Sequence, residues 1–151
     1  MTGTTATTTA TTTVTGHFTF ASWDEKSVTE AGTSPRIAHA SVVNTFTGGI
    51  EATDTACEYI CAYATETTGA FAGMEYFAGR LDGREGRFVV EERGWFGTDG
   101  TVHCTFEVVP GSGTDELTGL TGKGTFVAPQ GEKSVPYTFA YALPEGAGDP
   151  A

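Results

Sequence analysis

Glu75 and Glu92 are the residues of this sequence whose type and spacing point most directly to chemistry. They stand in the stretch from Gly69 to Phe96, GAFAGMEYFAGRLDGREGRFVVEERGWF. It reads as two β-strands joined at Asp82-Gly83, a pair that supplies the positive φ angles of a tight hairpin turn. Alternate residues of the first arm are Phe71, Gly73, Glu75 and Phe77, and alternate residues of the second are Phe88, Val90, Glu92, Gly94 and Phe96. Both rows are mostly apolar and each carries one carboxylate, so the buried face is expected to hold two acids. A turn centred on Asp82-Gly83 sets Glu75 opposite Val90 and Gly73 opposite Glu92, which makes the carboxylates diagonal neighbours with Cβ atoms about 7 Å apart. In an apolar interior the two charges repel and are poorly solvated, so at least one carboxyl is expected to have a raised pKa and to keep its proton near neutrality. An acid then stands beside a base. The protonated member could activate a carbonyl, epoxide or alkene, while the ionised one takes a proton or stabilises developing positive charge. A structural pair sharing a proton, or two carboxylates solvated at the rim, would give the same pattern.

The elements that must position this pair are strands. The chain has 151 residues, enough for one domain that buries about 70% of the surface its unfolded chain exposes. Glycine is abundant, Thr, Phe and Tyr are frequent, and helix-forming runs are missing, a texture that favours strands and turns. Residues 1–15 contain ten threonines and are expected to form a disordered tail. A first strand follows from Gly16, with Phe18, Phe20 and Ser22 on one face, and ends near Glu25. The polar connection from Lys26 to Pro35 reads as a mobile loop over one mouth of the domain. Further strands are expected at about 36–47, 50–64, 69–81, 84–96, 102–108, 117–128 and 135–143, with a second frayed tail at 144–151. In the third strand two rows compete, Cys57, Tyr59, Cys61 and Tyr63 against Ala56, Glu58, Ile60 and Ala62, and the pattern does not say which faces inward. Eight strands with short links and no crossover helices predict an all-β fold, an eight-stranded antiparallel closed β-barrel over residues 16–143. Such a barrel just holds packed side chains or one small ligand. Its lumen would be lined by Phe18, Phe20, Phe71, Phe88, Phe96, Phe106, Tyr137, Phe139 and Tyr141. The buried tyrosines among these would need partners, either a ligand or the two acids.

Several classes of function are disfavoured. Lys and Arg number 8 against 19 Asp and Glu, a formal charge of −11, so nucleic acid and anionic membranes are unsuited as partners. No apolar run approaches the ~18 residues of a membrane span, and a soluble cytoplasmic protein is the expectation. Cys57, Cys61 and Cys104 read as reduced thiols, since Cys57 and Cys61 on one strand face would stand about 13 Å apart at ~3.3 Å per residue, too far for a disulfide. No paired His accompanies them, and no cofactor or metal is expected. His17, His39 and His103 are assigned to the surface by the same inside-outside alternation. The run from Gly119 to Thr125 fails as a phosphate loop, because Leu117 and Gly124 occupy its required Gly and Ser/Thr positions. Met74, Tyr76, Val89 and Trp95 would form an apolar outer patch, suited to a homo-oligomer or simply to ordinary surface hydrophobics.

The strings FTFASWDE, GGIEAT, EYICAY, FAGMEYFAGRLDGREGRFVVEERGWF and VVPGSGTDELTGLTGKGTF resemble a family of small bacterial proteins classed as a domain of unknown function. Its fold is similar to the allene oxide cyclase barrel. The resemblance covers nearly everything after the Thr-rich tail and implies an eight-stranded barrel with a lumen, while supplying no reaction. In the family's pattern Glu75 matches a glutamate, whereas a histidine often stands where this chain has Glu92. Related barrels include cofactor-free cyclases and isomerases of reactive, oily intermediates. The expected function is a cofactor-independent cyclase or isomerase of a hydrophobic, natural-product-type molecule, with Glu75 and Glu92 moving protons and the barrel holding the reactive conformer. The alternatives are a non-catalytic barrel that binds a lipophilic ligand and a scaffold with a filled interior.

Overall fold

The computed structural model describes residues 10–144. Eight antiparallel strands close into an up-and-down barrel in chain order: β1 (Thr12–Ser27), β2 (Arg36–Gly48), β3 (Ile50–Tyr63), β4 (Gly69–Leu81), β5 (Arg84–Phe96), β6 (Val102–Val108), β7 (Thr121–Ala128) and β8 (Ser134–Ala142). The β4–β5 hairpin has the expected register, with Glu75 opposite Val90 and Gly73 opposite Glu92. Asp82 and Gly83 carry the turn at φ 51° and 82°, the doubly positive pair that matches the twist of two antiparallel strands.

Two expectations are corrected. The chain is not a tail through Thr15: Thr12 to Thr15 pair with Tyr141 to Thr138 of β8 and help close the barrel. Residues 10 and 11 of the expected N-terminal tail precede β1, and residues 1–9 of it and 145–151 of the C-terminal one lie outside the described residues. Leu117 does not begin a strand; it ends a short 3₁₀ turn, Asp115–Leu117, and β7 starts at Thr121. The choice left open in β3 falls to the row of Cys57, Tyr59 and Cys61, while Ala56, Glu58, Ile60 and Ala62 face outward. Ile50 and Ala52 point inward, and a bulge around Asp54 (φ 55°) inserts one residue, so that Thr55, Cys57, Tyr59 and Cys61 point inward beyond it. One extra residue reverses the face presented by everything after it. A second bulge, between Phe20 and Ser22, does the same in β1 and turns Trp23 and Glu25 to the inside.

The interior is divided along the barrel axis. At one end, closed by the segment leading into β7, Leu117 and Leu120 pack with Phe77, Leu81, Phe88, Val135 and Phe139 into a continuous apolar core. Phe77 stacks on Phe88 at 4.8 Å and Phe46 meets Phe77 edge-on at 4.8 Å. The tyrosines here find partners in the protein. Tyr137 OH accepts from the Ile50 N–H and donates to the Thr47 carbonyl, both at 2.8 Å, and Tyr141 OH donates to Asp82 at 2.5 Å.

The other end is framed by the loops that follow β3, β5 and β7. Here Gly94 of β5 lies under the Phe71 ring of β4, where a Cβ would collide with that ring and with the His103 carbonyl. Gly94→Val is therefore expected to destabilise the barrel by about 2 kcal/mol through overpacking, a fall of roughly 4–8 °C in melting temperature for a chain of this size, measurable by thermal denaturation. The β1–β2 connection lies at this end as well. It continues its own hairpin through the Val28 and Thr29 N–H groups, both bonded to the Ile37 carbonyl, and none of residues 26–35 is among the lining residues of the cavity at that end.

Candidate functional site

A cavity of about 380 Å³ opens at the end framed by those loops. That volume falls in the range of small-molecule sites. Its walls are aromatic. Phe18 and Phe20 come from β1, Phe71 from β4 and Phe96 from β5, four of the nine residues expected to line the lumen. The other five, Phe88, Phe106, Tyr137, Phe139 and Tyr141, pack the closed half and are not among the cavity's lining residues. Four aromatics that were not anticipated complete the wall: Trp23, Tyr59, Tyr63 and Phe126. Tyr59 meets Phe71 edge-on at 5.1 Å, and Tyr63 meets Phe96 at 5.2 Å. Polar groups sit at the rim, where Glu66, Thr67, Thr98 and Gln130 reach the opening from the three loops.

Glu25 organises one side of the mouth. Its carboxylate accepts from Trp23 Nε1 at 3.1 Å and from Tyr63 OH at 2.5 Å. Arg36 stands over the Tyr63 ring, 4.0 Å from its centre. Burial, followed by the hydrogen bond to Glu25, pushes the Tyr63 phenol up to about 12, so it remains a donor. Cys61, also in the wall, is pushed up to about 11, first by burial and then by Glu25. It is a poor nucleophile at neutral pH.

Glu75 and Glu92 lie beneath the cavity floor and not in its wall. Each is only 2% exposed. Glu75 Oε2 accepts from Thr55 Oγ1 at 2.6 Å and Asn44 Nδ2 at 2.9 Å. Glu92 Oε1 accepts from Tyr59 OH at 2.5 Å and from the Cys104 thiol at 3.7 Å. Burial, then the charge of Glu75 and then the hydrogen bond between the two acids hold the Glu92 carboxyl well above the usual carboxylate range; the bonds from Tyr59 and Cys104 pull the other way. The pair as a whole accordingly tends to hold a proton. The Cys57 and Cys104 thiols are both pushed far up, by burial first and by Glu92 second, and all three cysteines are free and buried. Tyr59 is the link between the two levels. Its ring lines the cavity and its hydroxyl ends on Glu92.

The histidines sit on the outer wall. His39 Nε2 lies 2.7 Å from Glu58, His103 stacks on Trp95 at 4.0 Å, and His17 is exposed.

Fold and site together define a closed eight-stranded antiparallel barrel, packed at one end and opening at the other onto an aromatic cavity. The chain belongs to the family described as "Protein of unknown function (DUF3224)", whose profile matches residues 14–141. It is similar to the crystal structure of a protein of unknown function from that family from Shewanella oneidensis, with 28% identity and a TM-score of 0.69 over 89% of this chain and 98% of that one. No curated protein matches the chain. No helix among the described residues is long and apolar enough to cross a membrane.

Proposed function

We propose that this protein binds one hydrophobic small molecule in the cavity at the open end of the barrel. The observation that carries this reading is the unequal filling of the lumen. Large side chains pack one half into a continuous core, whereas the aromatics of the other half line a cavity of about 380 Å³. An apolar wall with a few polar groups at its rim suits a ligand whose body is oily and whose end is polar.

The reading is tested with purified protein by native mass spectrometry, by extraction of bound molecules, and by titration with the apolar dye N-phenyl-1-naphthylamine. Saturable dye uptake with quenching of Trp23 emission is expected, and Trp23→Phe should remove most of the quenching because Trp95 lies on the outer wall with 55% exposure. Absence of both a recovered molecule and saturable dye uptake would overturn the proposal in favour of a scaffold role.

A second reading, cofactor-free isomerisation or cyclisation of the bound molecule, is favoured by one contact, the Tyr59 hydroxyl on Glu92. In this reading Glu75 and Glu92 act on the substrate through the Tyr59 phenol and not by direct contact. Exposed Met74, Tyr76 and Trp95 on the outer wall also give a face suited to self-association.

A further inference from the structure

We propose that the buried polar cluster beneath the cavity floor is a divalent metal site, with Cys57 Sγ, one oxygen of Glu75 and one of Glu92 as ligands and the Asn44 side-chain carbonyl as a fourth donor. The proposal stands apart from the reading of the cavity, which lies on the far side of the Tyr59 ring.

Four consecutive strands deliver the donors to one level of the barrel. Asn44 of β2 pairs with Thr55, Cys57 of β3 pairs with Glu75 of β4, and Glu92 of β5 is the diagonal neighbour of Glu75. One ligand atom from each of Cys57, Glu75 and Glu92 lies within 4.8 Å of the others. All three residues are buried, at 0%, 2% and 2% exposure. A tetrahedral zinc ion, with bonds of about 2.3 Å to sulfur and 2.0–2.2 Å to oxygen, sets its ligand atoms roughly 3.5 Å apart. Side-chain adjustments on the order of 1 Å would therefore bring the three donors into its coordination sphere.

The second observation is independent of this clustering. Asn44 is 2% exposed, and its Oδ1 is a buried polar atom without a hydrogen-bond partner. Nδ2 faces Glu75 Oε2 and donates to it at 2.9 Å, beside the Thr55 hydroxyl that donates to the same oxygen. The acceptor end of the same amide is left buried and unpaired next to the Glu75 side chain, where a cation would satisfy it. The ion pairs His39–Glu58 and Arg93–Glu91 lie on exposed parts of the chain, and the groups that favour ionised Glu92 are neutral donors, Tyr59 and Cys104.

Charge and protons balance on binding. Cys57 releases one proton and the Glu75–Glu92 pair releases the one it shares as the divalent ion enters, so a cluster with one negative charge before binding keeps one after it. A thiolate with oxygen donors selects a borderline ion such as Zn²⁺, Fe²⁺ or Co²⁺ over Mg²⁺ or Ca²⁺. Tyr59 and Cys104, both hydrogen-bonded to Glu92, would hold that ligand in place from outside the coordination sphere.

The test is titration of the full chain, stripped of metal, with Co²⁺. One equivalent should produce tetrahedral d–d absorption and a near-ultraviolet thiolate-to-cobalt charge-transfer band, both bleached by Zn²⁺. Cys57→Ser should abolish the charge-transfer band and weaken binding at least tenfold, while Cys104→Ser keeps the band. Glu92→Gln, a variant expected to be more stable than the parent without metal, should lose the metal-induced rise in melting temperature. A missing charge-transfer band, a band that survives in Cys57→Ser, or an undiminished metal-induced rise in Glu92→Gln would each overturn the assignment.

Discussion

Replacing Glu92 by glutamine is expected to raise the melting temperature of the metal-free protein at pH 8 and to flatten its dependence on pH. Glutamine is the neutral shape of the protonated acid. Its carbonyl oxygen can accept from Tyr59 and Cys104 as Glu92 Oε1 does, and its amide can donate to Glu75 as the shared proton does. The sign of the effect follows from the direction of the Glu92 shift. Its folded pKa lies well above the ordinary value of 4.5, so the folded chain binds a proton that the unfolded chain has released. The stability from that proton is complete below about pH 4.5. It is lost as the pH rises toward the folded pKa, at up to about 1.4 kcal/mol per pH unit. With a shift of roughly 2–4 °C per kcal/mol for a chain of this size, the parent should melt several degrees lower at pH 8 than at pH 5, and Glu92→Gln should not. Thermal or urea denaturation across that range in chelator-treated buffer makes the measurement. Parallel pH profiles for parent and variant would mean that Glu92 does not hold the proton. Glu75→Gln serves as the contrast. It takes a carboxyl acceptor away from Asn44 and Thr55 and should destabilise by about 1–3 kcal/mol.

The register that brings the two acids together was legible because a two-residue turn leaves no freedom. Once Asp82-Gly83 is the turn, every pair from Leu81–Arg84 to Gly69–Phe96 follows. The eight strands and their closure were legible in the same way, through alternation and through breakers between runs. Bulges were not. A single extra residue near Ala21 or Asp54 leaves local composition unchanged yet reverses the inward face beyond it. Tyr59 and Tyr63 were therefore left undecided, and Trp23 was not placed in the wall at all. The division of the lumen was hidden for a different reason. It depends on Leu117 and Leu120 plugging one end, and the apolar run from Leu117 resembles the start of a strand. The Thr-rich start misled through composition. Low complexity suggests a tail, but threonine is a good strand former, and β8 offers Thr12 to Thr15 a partner that only closure of the barrel supplies. Asn44 falls in the alternate row of Ala38, Ala40, Val42 and Phe46 along its strand, yet its contact with Glu75 links residues 31 positions apart and is visible only once β2, β3 and β4 are side by side.

Narrowing the cavity and disturbing the packed half should have separable effects, and this contrast bears most directly on the proposed function. Val102 of β6 pairs with Phe96 on one side and Ala128 on the other, and all three line the cavity. It is half-buried, with open space in front of it, so Val102→Trp can extend its ring into the cavity without displacing the closed core. Dye affinity is expected to fall at least tenfold, equivalent to about 1.4 kcal/mol, with the melting temperature nearly unchanged. Phe139→Leu is the opposite case. Phe139 is fully buried in the packed half, stacked toward Phe88, Phe106 and Tyr141, and truncation there should cost about 1–2 kcal/mol of stability through a small cavity. Dye affinity should stay within about twofold, or roughly 0.4 kcal/mol. Both residues would have equal claim to contact a ligand in a barrel filled or emptied along its whole length. Opposite responses follow only if the lumen is partitioned, with Tyr59 and the acid pair forming the floor between a cavity and a core. Equal loss of dye binding in the two variants would remove that partition and the small-molecule site with it.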